Sequence, residues 1–243
     1  RALEMSKYSD YEGSGPLDFS DETNKRLLHG YAAATSYVDA CVGRILDALK
    51  RNGFEKNTIV VLWGDHGWKL GDHSSWCKHT NFECDTKVPL IVRDPRIEGG
   101  KRAKRLVELI DLYPTLCELT ELPTPVHCQG RSFHHLLQDP EAGHRLDAYS
   151  SYPAQKNLGH SIRFKTYRYT EWLNQQEQMI ANVLTDLSTD PGEVTNVKDD
   201  PAHADALALG KERLALRVKQ ARNSAYKPRD AANLGPPLEV KVN

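Results

Sequence analysis

The densest chemistry in the sequence lies in residues 63–82, WGDHGWKLGDHSSWCKHTNF, where Asp65, His66, Asp72, His73, Lys78 and His79 crowd together with Trp68 and Trp76. A carboxylate and an imidazole on adjacent residues can hold one divalent cation from a single backbone turn. Gly64 and Gly67 give that turn room to bend. Lys78 adds a point positive charge able to neutralise an oxyanion such as sulfate or phosphate. A plainer reading stands beside this one, because an Asp-His pair followed by Gly at a strand end also describes an Asx-type turn with a hydrogen-bonded histidine. On that reading Lys78 is a solvated surface lysine, His73 and His79 orient the loop or sit on the surface, and Trp68 and Trp76 pack it. The density of the cluster favours function.

Two elements must position this stretch. From Ser20, a candidate N-cap backed by Asp21 and Glu22, apolar residues recur at helical spacing through Leu27, Tyr31, Val38, Ile45 and Leu49, and Asn52-Gly53 reads as a stop. Residues 58–63, TIVVLW, form an unbroken apolar run, the pattern of a strand buried on both faces of a parallel sheet. A second such strand is expected at 88–92. Helix followed by buried strand argues for an α/β architecture, and in open α/β sheets ligands bind beyond the carboxyl ends of the strands, where Asp65 and His66 stand.

Downstream, residues 106–122 read mostly as helix, with Pro114 tolerable near the first turn. Residues 123–158 read as connecting loops with one helical turn around 133–137. Residues 160–172, HSIRFKTYRYTEW, alternate and are rich in aromatic and β-branched side chains; 182–187 resembles another strand, and Asp190-Pro191-Gly192 a turn. A closing helix is expected over 201–223. The chain therefore divides into an α/β part, residues 1–158, opening with a polar lead-in at 1–19, and a small subdomain of antiparallel sheet and helix, residues 159–243.

Composition excludes several partners. With 243 residues, 27% charged and a formal net charge of −1, the chain offers no basic field for nucleic acid and no polybasic membrane patch. Its longest apolar runs are strand-sized, so no membrane span is expected. Five cysteines lie scattered with no CxxC pair, which disfavours a zinc ribbon, and their odd number leaves at least one thiol unpaired within the chain. The chain opens at Arg1 without Met or signal sequence, which reads as a fragment, a processed chain or one half of something.

Asp65-His66-Gly67 followed by WKLGDH, Trp76, Lys78, Asn81-Phe82 and Val88-Pro89-Leu90-Ile91 resembles the second-half signature of the sulfatase family, most similar to its iduronate-2-sulfatase-like branch. The similarity runs back through Tyr31 and Ser36-Tyr37-Val38-Asp39, and forward through Asp111-Leu112-Tyr113-Pro114-Thr115-Leu116, Ser161-Ile162-Arg163, Tyr167-Arg168-Tyr169-Thr170 and Asp190-Pro191-Gly192-Glu193. The resemblance implies the C-terminal part of an alkaline-phosphatase-like α/β sandwich, with a small antiparallel C-terminal subdomain. It implies one Ca²⁺ held in part by Asp65 and His66, with His66 standing where many sulfatases have Asn. It implies Lys78 at the sulfate ester, with Trp68 and His73 as further candidate substrate-binding residues.

Family members attack sulfur with a formylglycine made from a cysteine in Cys-x-Pro-x-Arg or a close variant. Here Val42-Gly43-Arg44 follow Cys41, Lys78-His79 follow Cys77, Asp85-Thr86 follow Cys84, Glu118-Leu119 follow Cys117 and Gln129-Gly130 follow Cys128. None fits. The formylglycine and the paired aspartates that complete the metal site are therefore expected in an N-terminal half outside this chain, which alone is expected to be inactive. The resemblance further implies a sulfuric ester hydrolase acting on sulfated sugars or glycosaminoglycans, and a periplasmic, secreted or lysosome-like location. Two alternatives stay open: a phosphohydrolase or phosphomutase of the same superfamily, with two metals and a distant histidine drawn from His127, His134, His135, His144 and His160, and a non-catalytic carbohydrate-binding chain.

Overall fold

A computed structural model describes residues 20–222 apart from Gln155; the expected lead-in at 1–19 and the last residue of the closing helix lie outside the described residues. Helix α1 spans Asp21–Arg51. Ser20 caps it by accepting the Thr23 N–H at 3.2 Å, and acidic residues in its first turn and basic residues in its last complement the helix dipole. Gly53 takes the left-handed conformation, φ 74°, that ends the helix. No residue of α1 is buried, and Tyr37 and Ile45 on the apolar stripe are 70% and 62% exposed.

Strand β1 (Val60–Trp63) runs into the stretch of interest and β4 (Leu90–Arg93) runs out of it. The two form an antiparallel pair, Val60 opposite Arg93 and Trp63 opposite Leu90, and not the parallel, doubly buried arrangement expected from the apolar runs. Trp63 and Ile91 are about half exposed. An unbroken apolar run predicts faces to be covered; among the described residues nothing covers these. Between the two strands lie β2 (Lys69–Leu70), β3 (Trp76–Cys77) and the short helix α2 (Glu83–Thr86).

Helix α3 (Leu112–Leu119) begins later than the expected residue 106, because Leu106 is drawn into an isolated bridge with Arg145 and a 3-10 turn occupies Leu109–Asp111. Pro114 falls in the first turn of α3, where its missing N–H costs nothing. Helix α4 (His134–Gln138) is the helical turn expected nearby.

Four strands, β5 (Asp147–Ala154), β6 (Asn157–Phe164), β7 (Tyr167–Leu173) and β8 (Met179–Asp186), form an antiparallel meander in the order β5-β6-β7-β8. Reading 123–158 as connecting loops missed β5. Its sequence DAYSSYPA carries Pro153, which a sheet tolerates at an edge, and β5 is an edge strand. The division drawn at 158/159 falls inside β6. The alternating segment 160–172 folds as two strands, with Lys165 at φ 44° in the turn between them.

Helix α5 (Ala204–Arg222) lies across this sheet, and Leu214 joins Ile162, Phe164, Tyr169 and Leu184 in the buried core. Gly210 permits the close approach: a Cβ there would lie 2.9 Å from Tyr169 Cβ. A buried charge network ties the start of α3 to the sheet and α5. Arg145 grips Asp111 with two donors, its Nε at 2.8 Å, and Arg217 donates to Glu108. Burial pushes the Asp111 carboxyl up, but the Arg145 hydrogen bond and the N–H groups of Arg131 and Glu108 outweigh it and hold the group below its ordinary value. No described helix is long and apolar enough to cross a membrane.

Candidate functional site

Strand β1 delivers the chain to a tight turn. The Gly64 N–H donates to Pro89 O at 3.1 Å, and Gly67 N–H to Asp85 O at 2.8 Å, so the Asp65-His66 step is pinned on both sides. Gly67 is obligatory, since a Cβ would lie 1.9 Å from Cys84 O. The His66 N–H donates to Asp65 Oδ1 at 3.1 Å, while the Gly67 N–H, the donor an Asx turn at Asp65 would use, goes to Asp85 O. His66 Nδ1 is 2.9 Å from Gly67 O. A carbonyl only accepts, so Nδ1 carries a proton, and in the neutral ring Nε2 is then the nitrogen with the lone pair. That lone-pair nitrogen sits 3.4 Å from Asp65 Oδ2, on a carboxylate 83% exposed. One nitrogen and one oxygen are thereby offered together, with the ring fixed by a backbone carbonyl as metal-ligating histidines usually are.

The hairpin β2–β3 sets the rest of the site. Lys69 pairs with Cys77 and Leu70 with Trp76, which places Lys78 one residue past the hairpin. The Trp68 ring is 6.3 Å from that of His66 at an interplanar angle of 26°, and Lys78 Nζ is 5.6 Å from the Trp68 centroid. Trp68 thus holds both the imidazole and, by cation–π attraction, the ammonium. His73 goes elsewhere, its ring stacked on Phe82 at 3.7 Å and 9°. His79 faces Tyr152 on β5, 5.8 Å away, and Trp76 is buried. The loop backbone is unusual, with His73, Ser74, Cys77 and His79 all at positive φ, between 51° and 88°.

A second anchor fastens the loop to the sheet. Arg168 on β7, nearly fully buried, donates to Glu83 and to Thr86 Oγ1 (3.0 Å) on α2, to Ser161 Oγ at 3.3 Å, and pairs with Glu193 at 3.0 Å. Glu193 in turn accepts the Glu83 N–H. Burial raises the Glu193 carboxyl above its ordinary value, against the pull of Arg168. Burial, with Asp85 beside it, also raises the Cys84 thiol to about 11, so it remains protonated near neutrality and is no nucleophile.

Among the described residues no three His, Cys, Asp or Glu side chains come together as a metal site, so Asp65 and His66 stand as a pair. The histidines considered for a second metal are engaged elsewhere: His134 with Glu118 at 3.1 Å, His135 with Gly143 O at 3.1 Å and 5.2 Å from His144, and His160 with the Tyr149 hydroxyl at 2.7 Å. Burial lowers both His144 and His160, keeping them neutral. Of the residues singled out from sequence, the fold brings Asp65, His66, Trp68 and Lys78 together and turns His73 onto Phe82. Sequence reasoning missed Lys69, Asp85, Arg168 and Glu193, because no local pattern tells a buried charge from a solvated one.

The family model described as sulfatase matches residues 6–122, and that of the C-terminal region of N-sulphoglucosamine sulphohydrolase matches residues 71–220. A protein named sulfatase from Formosa agariphila is 36% identical over 172 residues, covering 71% of this chain and 32% of its own length. The iduronate 2-sulfatase of Mus musculus is 31% identical over 262 aligned positions, covering 79% of this chain and 47% of its own length. A solved protein bound to its substrate D-glucosamine-2-N,6-O-disulfate superposes with a TM-score of 0.73 at 25% identity, over 82% of this chain and 42% of that one. The chain thus spans between a third and a half of the curated relatives it matches.

Proposed function

The chain belongs to the sulfatase family, with the C-terminal part of the alkaline-phosphatase-like fold, and from that premise we propose that it supplies the cation-and-sulfate half of a sulfuric ester hydrolase. The observation that carries the reading is the coupled trio on one loop: the His66 lone pair 3.4 Å from the Asp65 carboxylate, and Lys78 tied to the same turn through Trp68. Asp65 would hold one Ca²⁺ through a carboxylate oxygen, the donor that ion prefers, with the His66 nitrogen as a less usual second ligand, and the ion would draw charge from the sulfate oxygens. Further ligands and the formylglycine nucleophile come from residues outside this chain. Lys78 offers its ammonium to a sulfate oxygen as negative charge gathers there, the term usually largest in such reactions. Trp68 keeps that ammonium near the ligand pair, and His73 shapes the loop through Phe82.

The proposed substrates are sulfated sugars, glycosaminoglycan units among them, in a periplasmic, secreted or lysosome-like compartment; the disulfated glucosamine bound to the related solved protein supports that class. In the complete enzyme, Lys78→Ala is expected to lower kcat/KM for a sulfate ester by about 10²–10³-fold. This chain alone should show no turnover. Metal-dependent arylsulfatase activity from the chain alone, unchanged by Lys78→Ala, would refute the reading. Metal analysis separates it from the phosphoryl-transfer alternative, since one Ca²⁺ per molecule fits a sulfatase and two transition ions do not.

A further inference from the structure

Beside the candidate site lies a buried ion pair to which neither the cation nor the sulfate reading gives a role. Lys69 on β2 is 1% exposed and Asp85 on α2 is 5% exposed. Lys69 Nζ sits 2.5 Å from Asp85 Oδ2 and also donates to Lys78 O at 3.2 Å. The Thr80 hydroxyl donates to the same carboxylate oxygen. The main-chain carbonyl of Asp85 meanwhile takes the Gly67 N–H at 2.8 Å, closing the turn that carries Asp65 and His66. The two groups of the site therefore share one support. The backbone of Asp85 holds the turn, and its side chain, through Lys69, holds the peptide of Lys78.

Stability alone is a poor account of this pair. Taking two charges out of water is costly, and well-packed apolar replacements of buried pairs are often neutral or stabilising. This pair is also imperfectly satisfied, because Asp85 Oδ1 is buried with no partner among the described residues. What the pair grips is a backbone in an unfavourable conformation. Lys78 is flanked by Cys77 at φ 68° and His79 at φ 88°, a region that L residues avoid and keep only where their surroundings over-determine it. Neither flanking residue is glycine. An apolar pair of the same volume could fill the space, but it could not donate to the Lys78 carbonyl.

We infer that Lys69 and Asp85 form a positioning clamp that fixes the Lys78 segment against the Asp65-His66 turn, so that ammonium and cation ligands meet one sulfate group. The inference rests on the proposed function. Neither residue touches substrate; both act through Lys78 and the turn.

The test is a mutant cycle in the complete enzyme, with inorganic sulfate inhibition and sulfate-ester turnover as readouts. Lys69→Met combined with Asp85→Leu removes both charges without stranding one. The expected result is a melting temperature within a few degrees of the parent, with kcat/KM lowered about tenfold or more and sulfate inhibition weakened. Lys78→Ala should then cost several-fold less in that background than in the parent, because an ammonium no longer aimed has less to lose. A merely structural pair would leave the Lys78→Ala factor the same in both backgrounds. Equal factors, or an unchanged kcat/KM in the double variant, overturn the clamp and leave the sulfatase reading standing. Lys78→Ala without effect in the parent overturns that reading, and the clamp with it. If the double variant does not fold, Lys69→Met with Asp85→Asn takes its place. That pair of changes removes the donor to the Lys78 carbonyl and keeps a partner for Thr80; independence from Lys78→Ala overturns the clamp there too.

Discussion

Helices α1 and α5 carry similar signals in sequence and meet opposite fates. Both are long and both repeat apolar residues at helical spacing. Yet the stronger apolar stripe, that of α1, has no buried residue, while the looser one of α5 buries Leu214 in the best-packed core of the chain. The difference is the partner. The antiparallel meander β5–β8 is contiguous in sequence and immediately precedes α5, so sheet and helix bury each other within the chain. Strands β1 and β4 form only a two-stranded ribbon, too little surface to cover anything. Periodicity declares a face; it does not supply what covers it.

Substitutions can break or sharpen that contrast. The largest effect is expected in the network beside the closed core: Asp111→Asn removes the closer of two carboxylate partners of the buried Arg145, leaving Glu108 at 3.6 Å, and should cost about 3 kcal/mol in urea unfolding. The same group predicts a pH dependence. Its folded pKa lies below the ordinary 3.8, so its contribution is fully present above that value and is lost as pH falls through the lower folded one. For this group unfolding free energy should be flat from neutrality down to about pH 4 and then decline, and the decline should be smaller in Asp111→Asn. Next comes one substitution in two helices. Gly210→Ala should destabilise by about 1–3 kcal/mol, since its Cβ would meet Tyr169 at 2.9 Å. Gly30→Ala, with nothing within 4 Å, should stabilise by about 0.5–1 kcal/mol through helix propensity. A loss at Gly30 would mean that α1 is covered as α5 is, and the contrast would fail.

The site divides along similar lines. Asp65, His66 and Lys78 were legible as candidates because metal and anion binding would restrict residue type strongly, and such types are crowded there. Lys69 was not, since it sits in the same stretch and reads as one more charge. Burial separates it from Lys78, and burial depends on Asp85, which the β2–β3 hairpin and α2 bring to 2.5 Å from its ammonium. Arg168 and Glu193 were hidden for a related reason: their role is to meet Glu83, which lies far from both in sequence. Strand β5 was missed because Pro153 and its serines weaken the alternating pattern, and an edge position tolerates both.

By itself the sequence determined the helices α1 and α5, the family, and which residues are candidates for holding a cation and an anion, because caps, periodicity and ligand chemistry are local. Tertiary structure alone decided which apolar faces close and that Lys69 is buried against Asp85 while Lys78 stays partly exposed. Those outcomes depend on contacts between segments far apart in the chain, and single-residue chemistry carries no record of distance in space.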